Sequence, residues 1–366
     1  MISQDSGPNT EVAVFTIPVG QGDSTVIKCP NGDISIVDMG CKGGCQGMSL
    51  QQYVIYIETE YFGNDYKKLK KVFLTHPDED HMNYGYDEGK QVGLLVQWLE
   101  KGVSLDIYLG ERAAWFKAKR KFVEFLELQK PRINLHWEEY GDVQICSEPK
   151  TTINIIASDL VTSQPDPKQP DSNKNARSMV MSLMIGNSKK MLFLGDFELQ
   201  SSYNYLLSPN LIFDDAISDH DILMVPHHGS GSKGNPNVRF YNEVKPKYAI
   251  VSSAMWSDFK HPKIETLQAI CGGRTKEVSP SYGSNPIGWI KYWEWDDMSE
   301  DEFPVEHSGF LEVQDCDVEI LQTSKVLKST DYQLNLIVSK ISAATINIEA
   351  VEHKVIPEPK TVDETN

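Results

Sequence analysis

The run His76-Pro-Asp78-Glu-Asp80-His81 packs four nitrogen and oxygen donors into six residues. Imidazole with carboxylate is the donor set of divalent-metal sites. Two further segments carry the same kinds of donor. Leu192-Phe-Leu-Gly-Asp196 sets one acid just past an apolar stretch, where an aspartate serves either as a helix N-cap or as a metal bridge. Leu223-Met-Val-Pro-His227-His228-Gly-Ser230 places two adjacent histidines after another apolar stretch. Adjacent side chains leaving a strand point in opposite directions, so one ring is expected to bind metal and the other to face substrate. Gly229 frees the backbone beyond His228 and favours it as the ligand. Two cations about 3.5–4 Å apart share a water, lower its pKa and stabilise charge on substrate oxygens. The chemistry expected is therefore metal-assisted hydrolysis by a bridging hydroxide. Asp80, His227 and His261 are the candidate catalytic residues, the two histidines as proton donors to the leaving group. Lys233 and Lys260 are candidate phosphate contacts.

These residues need strands that end where they begin. Val12–Pro18, Ser24–Lys28 and Ile34–Val37 read as strands joined by the turns Gly20-Gln-Gly-Asp23 and Pro30-Asn-Gly32. Lys70–Leu74 is a short buried strand feeding His76. Helices are expected over Leu50–Tyr61, Gln91–Lys101 and Arg112–Gln129, with strands at Leu105–Leu109, Ile133–His136 and Thr152–Ala157. Ser163–Asn175 reads as a surface loop. Met179–Ile185 and Met191–Leu194 form a hairpin across Gly186-Asn-Ser. A helix over Phe197–Leu207, a strand at Ile222–Val225, a helix at Asn237–Val244, a strand at Tyr248–Ser252 and a helix at Pro262–Cys271 follow. Alternating strands and helices with polar residues at strand C-terminal ends predict an α/β layered fold with its site along one sheet edge.

Lys+Arg 35 against Asp+Glu 52 leave a net charge of −17. Such a field repels nucleic acid and anionic membrane, so a polyanionic substrate would need bound cations or a local basic patch. No apolar run is long enough to span a bilayer, and the N-terminus has no secretory pattern. Six cysteines scattered over 366 residues read as reduced thiols of a cytoplasmic protein. Cys41-x-x-x-Cys45 has the spacing of half a zinc site but no matching second pair.

Order, spacing and neighbours together resemble the metallo-β-lactamase superfamily, in the branch of the ComEC competence-protein hydrolase domain. Val19-Gly-Gln-Gly-Asp23, Ile36-Val-Asp38-Met-Gly40, Thr75–His81, Asn175-Ala-Arg-Ser178, Leu194-Gly-Asp196, Val225–Ser230, Lys245-Pro-Lys247 and His261-Pro262 carry the likeness. It implies an αββα sandwich over residues 1–317, with residues 91–170 rich in insertions. Residues 318–366 read as an extension of unknown role with strand-like runs at Gln333–Ile341 and Ala344–Val351 and a disordered tail from Pro357 to Asn366; as part of a larger assembly it would dock a partner protein. The resemblance also implies that His76 and Asp78 hold one metal. Asp80, His81 and one of the paired histidines, His228 being favoured, would hold the second, with Asp196 bridging. Asp38 would orient a ligand histidine. Asn175 and Ser178 stand where many members have a further histidine, and Asp78 replaces a common histidine. The first site is thus richer in oxygen, which makes manganese or magnesium an alternative to zinc. The implied activity is a phosphodiesterase acting on DNA, RNA or a nucleotide. Hydrolysis of a small ester, lactone or phosphorylcholine diester is a second reading. A third is a metal-binding component of a multiprotein defence or DNA-uptake system.

Overall fold

The computed structural model describes residues 11–42, 48–63, 65–158, 175–198, 213–231, 237–254, 261–272, 276–278, 289–295, 306–312, 316–326 and 332–353. The first six strands are β1 (Val12–Thr16), β2 (Ser24–Lys28), β3 (Ile34–Met39), β4 (Leu69–Leu74), β5 (Leu105–Leu109) and β6 (Ile133–Trp137). They lie in sequence order, antiparallel from β1 to β3 and parallel from β3 to β6. The second sheet begins with β7 (Gly141–Cys146), β8 (Thr151–Ala157), β9 (Val180–Ile185) and β10 (Ser188–Phe193), all antiparallel. It continues with the parallel β11 (Ile222–Met224) and β12 (Tyr248–Val251). A separate three-stranded sheet contains β13 (Lys276–Val278), β14 (Trp289–Trp295) and β15 (Glu306–Glu312).

Strand alternation sets the layers. In β4, Phe73 joins Val14, Ile27, Val37 and Tyr108 in a cluster shared with Ile153, Met181, Met191 and Phe193 of the other sheet. Its neighbours Val72 and Leu74 turn outward, onto Tyr53, Trp98, Trp115 and Phe122. These four belong to α1 (Leu50–Ile57), α3 (Leu94–Glu100), α4 (Arg112–Ala118) and α5 (Arg120–Leu128), where α2 is the single turn Glu79–Met82. In β10, Leu192 points to the opposite side from Met191 and Phe193. There it meets Phe240, Val244, Ile264 and Leu267 of the helices Val238–Val244 and Ile264–Ile270. Period-two burial on both sheets, with helices on each outer face, gives four layers, αββα.

Several expectations are corrected. The helix expected over Arg112–Gln129 breaks at Lys119 (φ −138°, ψ 55°), where no Gly or Pro marks the sequence. The expected extension is part of the sandwich. β16 (Glu319–Gln322) adds in parallel to β12, and β17 (Ser324–Val326) pairs with β18 (Tyr332–Ile341). β18 lies antiparallel on β1, with Val14 opposite Ser339, and β19 (Ile346–Glu352) forms the outer edge. Alternation marks β18 and β19, but the partner of β18 across the sheet, β1, lies some three hundred residues earlier in the chain.

The cysteines are corrected too. Cys29 and Cys146 form a disulfide (S–S 2.01 Å) between the ends of β2 and β7, and Cys271 pairs with Cys316. Cys41 is also disulfide-bonded, and no described cysteine is free. A sequence separation of 117 hides the first pair from any spacing argument. The thiol argument for a reducing cytoplasm therefore falls. Among the described residues no helix is long and apolar enough to cross a membrane. The expected loop up to residue 174, most of the helix expected over Phe197–Leu207, Lys233, Lys260 and the tail from 357 lie outside the described residues.

Candidate metal centre

Three strands deliver the donors, and a fourth, β12, delivers a residue that orients one of them. β4 ends at Leu74, and the chain turns through Thr75 and His76 into the loop carrying Asp78, Asp80 and His81. β10 ends at Phe193, and the Leu194–Gly195 turn leads into Asp196. β11 runs into His227 and His228, and β12 runs into Ser252. Parallel neighbours end on the same side, so the donors from both sheets converge on one edge.

Asp196 lies at the middle. Its Oδ1 is 3.0 Å from His81 Nε2 and 3.4 Å from His228 Nε2. Its Oδ2 is 3.7 Å from His76 Nε2 and 3.5 Å from His227 Nε2. Asp80 Oδ2 lies 3.7 Å from His228 Nε2, and Asp78 Oδ2 lies 3.7 Å from His76 Nε2. Two donor groups result, Asp80–His81–Asp196–His228 and His76–Asp78–Asp196, sharing one carboxylate.

The paired histidines part because both adopt left-handed backbone (φ 51° and 54°), which turns the chain sharply and sets their ring centroids 6.4 Å apart. Left-handed non-glycine residues cost of order 1 kcal/mol each, so the surrounding packing enforces them. Both rings reach Asp196, through different oxygens. His227 also faces His261, with ring centroids 5.9 Å apart.

A surrounding shell orients these donors. Asp38 Oδ2 accepts from His81 Nδ1 at 2.9 Å, and Asp38 also accepts from the Thr75 amide and hydroxyl. This leaves His81 Nε2 for Asp196. His228 Nδ1 donates to the Ser252 carbonyl at 2.8 Å, and the Ser252 hydroxyl donates to the Gly22 carbonyl. Ser178 Oγ accepts from the Asp196 amide. Asn175, from the same motif, is half-buried, with its side-chain oxygen buried and unpartnered. Sequence reasoning gave Asp23 no role. Its carboxylate lies 3.6 Å from His228 Nδ1 and 3.9 Å from His81 Nδ1, behind both rings. Its place beside two glycines signals a turn, which masks the second duty.

Charge and burial fit cations. His76 Nε2, Asp80 Oδ1 and His228 Nε2 are buried without a hydrogen-bond partner. Each such atom costs roughly 1–3 kcal/mol unless something satisfies it. A divalent cation is what an imidazole nitrogen and a carboxylate oxygen can satisfy together. Burial drives the Asp196 carboxyl upward, but His227, His81 and His228 outweigh it and hold the group well below the usual range. Burial likewise opposes charge on Asp80, yet His228 and His81 keep its carboxyl low. Burial lowers His227, with His228 and His76 adding to it, and lowers His261 further with help from His228 and His227. These two rings are therefore neutral near pH 7, suited to donate a hydrogen bond rather than to carry a spare proton.

An αββα sandwich with histidines and aspartates gathered at the strand ends of its shared edge defines a protein of metallo-β-lactamase fold. Within that class the chain is similar to ComE operon protein 3 of Bacillus subtilis, at 25% identity over 275 residues. It is also similar to Recombination protein 2 of Haemophilus influenzae, at 23% identity over 257 residues. The matches take in 72% and 70% of this chain but only 31% and 26% of those longer proteins. No family model matches the chain. Among solved structures, the metallo-β-lactamase fold protein YhfI from Bacillus subtilis is 13% identical, with a TM-score of 0.42, covering 71% of this chain and 93% of its own. Zn(2+)-bound PqqB from Methylobacterium extorquens is 10% identical, with a TM-score of 0.37, covering 65% and 70%. The class rests on the chain's own layers and donors.

Proposed function

We propose that the chain is a metal-dependent phosphodiesterase that holds two divalent cations and acts on nucleic acid or a nucleotide. The observation that carries this reading is Asp196, which offers one oxygen to each donor group. His76 and Asp78 would hold the first cation, and Asp80, His81 and His228 the second, zinc or manganese with magnesium compatible. When bound, the cations supply Lewis acidity and a water acidic enough to ionise near neutral pH. Asp38 and the Ser252 carbonyl fix the tautomers of His81 and His228, so that Nε2 of each faces inward. His227 and His261, neutral and at the rim of the cluster, donate hydrogen bonds to substrate oxygens. Burial lowers the basicity of both rings, which suits them to stabilise charge on those oxygens beside the proton-donor role expected of them. The likeness to Recombination protein 2 favours DNA among phosphodiesters.

The test is metal analysis followed by a substrate panel of single- and double-stranded DNA, RNA, cyclic dinucleotides, bis-p-nitrophenyl phosphate, a simple ester and a lactone. Diester turnover lost on chelation and restored by zinc or manganese is expected. Turnover confined to the ester or lactone would replace this reading with the small-ester one.

A further inference from the structure

An overall charge of −17 repels a nucleic-acid strand, yet one segment runs the other way. Residues 112–132 hold seven cations, Arg112, Lys117, Lys119, Arg120, Lys121, Lys130 and Arg132, against the two acids Glu124 and Glu127. All of these cations except Lys119 are exposed. The segment includes α4 and α5, which bury Trp115, Phe122, Val123 and Leu126 and turn their basic side outward.

Two ion pairs fix this segment beside the metal centre. Just before α4, Glu111 pairs with Arg177, the neighbour of the Ser178 that supports Asp196. Between α4 and α5, Lys119 Nζ is 3.6 Å from Glu79, which sits between the donors Asp78 and Asp80. The stretch bearing Phe116 and Lys117 thus lies between the loop that carries Asp78 and Asp80 and the segment of Ser178 that supports Asp196. Phe116 is 39% exposed, with the Arg120 guanidinium 5.5 Å from its ring centre. An aromatic face among cations is the arrangement that stacks bases and follows a phosphate backbone. The pairs Arg120–Glu124 and Arg112–Glu127 are solvent-exposed, so exchanging a carboxylate for a phosphate costs little. Lys121 makes no ion pair among the described residues.

We propose that α4 and α5 form the surface on which a single strand of nucleic acid docks on its way to the metal centre. The proposal rests on the phosphodiesterase reading for its direction of travel and on local charge for its affinity. It also resolves how an acidic protein approaches a polyanion, because a patch within a Debye length of the strand outweighs more distant acids.

The test is fluorescence anisotropy of labelled oligothymidylate and oligouridylate with the full chain in chelator, which prevents turnover, across a salt series. The triple variant Lys117→Glu, Arg120→Glu, Lys121→Glu is expected to bind both strands at least about tenfold more weakly at low salt. Its log–log salt slope should be shallower by about 2. Lys67→Glu with Lys70→Glu, at the opposite end of β4, should bind like the wild type. Phe116→Ala should weaken single strands more than duplex. Should the triple variant misfold, Lys117→Gln with Lys121→Gln must give a smaller loss in the same direction. The proposal is overturned by wild-type affinity and slope in the triple variant, by an equal loss in the control, by no strand binding in the wild type, or by tighter binding to anionic phospholipid vesicles than to either strand. Wild-type turnover of bis-p-nitrophenyl phosphate with added metal judges the phosphodiesterase reading separately. If that turnover is absent while the triple variant loses strand binding, the surface stands and the reading falls.

Discussion

At the scale of single residues, the centre depends on which atoms are left facing inward. Asp196 is 2% exposed and surrounded by four imidazoles, and the proposed pair of cations would satisfy the unpartnered nitrogens that His76 and His228 bring to it. His228→Ala should therefore lower metal content and turnover together. His227→Ala should keep the metal and slow turnover by about 10²–10³, the loss typical of one hydrogen bond to developing charge. Metal analysis and kinetics on the two variants side by side decide this, and equal metal loss would make His227 a ligand. The candidate donors His76, Asp78, Asp80, His81, Asp196 and His228 stand in three segments that each follow an apolar run, which is why sequence singles them out. Asp23 was not legible, because its duty exists only once β1–β2 is folded against β12.

At the scale of elements, the ligand loop is held by backbone contact. A Cβ on Gly40 would lie 2.3 Å from the Asp80 carbon and the His81 nitrogen, and one on Gly22 (φ +156°) 2.3 Å from the Gly40 oxygen. The turn before β2 and the end of β3 are thus pressed onto the loop that bears Asp80 and His81, and the Asp23 amide donates to the Asp80 carbonyl. Gly40→Ala is expected to cost about 2–3 kcal/mol, within the range for forced overpacking, and to lower metal affinity with it. Urea unfolding and metal titration of the variant check both. A second element, the turn into β11, is set by buried His220. Its ring bonds Ser182 Oγ at 2.6 Å and the Ile217 carbonyl at 2.8 Å. Burial pushes its pKa down from 6.5 to about 4. The folded state thus prefers the neutral ring. Its contribution is present in full above the ordinary histidine value and is lost as pH falls towards about 4, to a total of roughly 3 kcal/mol. Urea midpoints of wild type and His220→Gln over that range should converge as pH falls. Parallel curves would remove His220 from the account. The layer order was readable from alternation in β4 and β10, whereas the break at Lys119 and the strand partners of β16 and β18 were not, since both are settled by tertiary packing.

For the molecule as a whole, the disulfide from Cys29 to Cys146 joins the two sheets across 117 residues of chain. Closing so long a loop typically contributes 2–4 kcal/mol through the unfolded state, roughly speaking, so reductant should lower the urea midpoint clearly. An unchanged midpoint, with free thiols counted by alkylation and mass spectrometry, would return the cysteines to the reduced state that composition suggested. The central claim is that two cations share Asp196, and metal-to-protein ratio by elemental analysis after zinc or manganese loading tests it most directly. The wild type should hold about two ions and a folded Asp196→Ala variant at most about one, with turnover lost. A folded Asp196→Ala variant that still holds the wild-type complement of metal would contradict it.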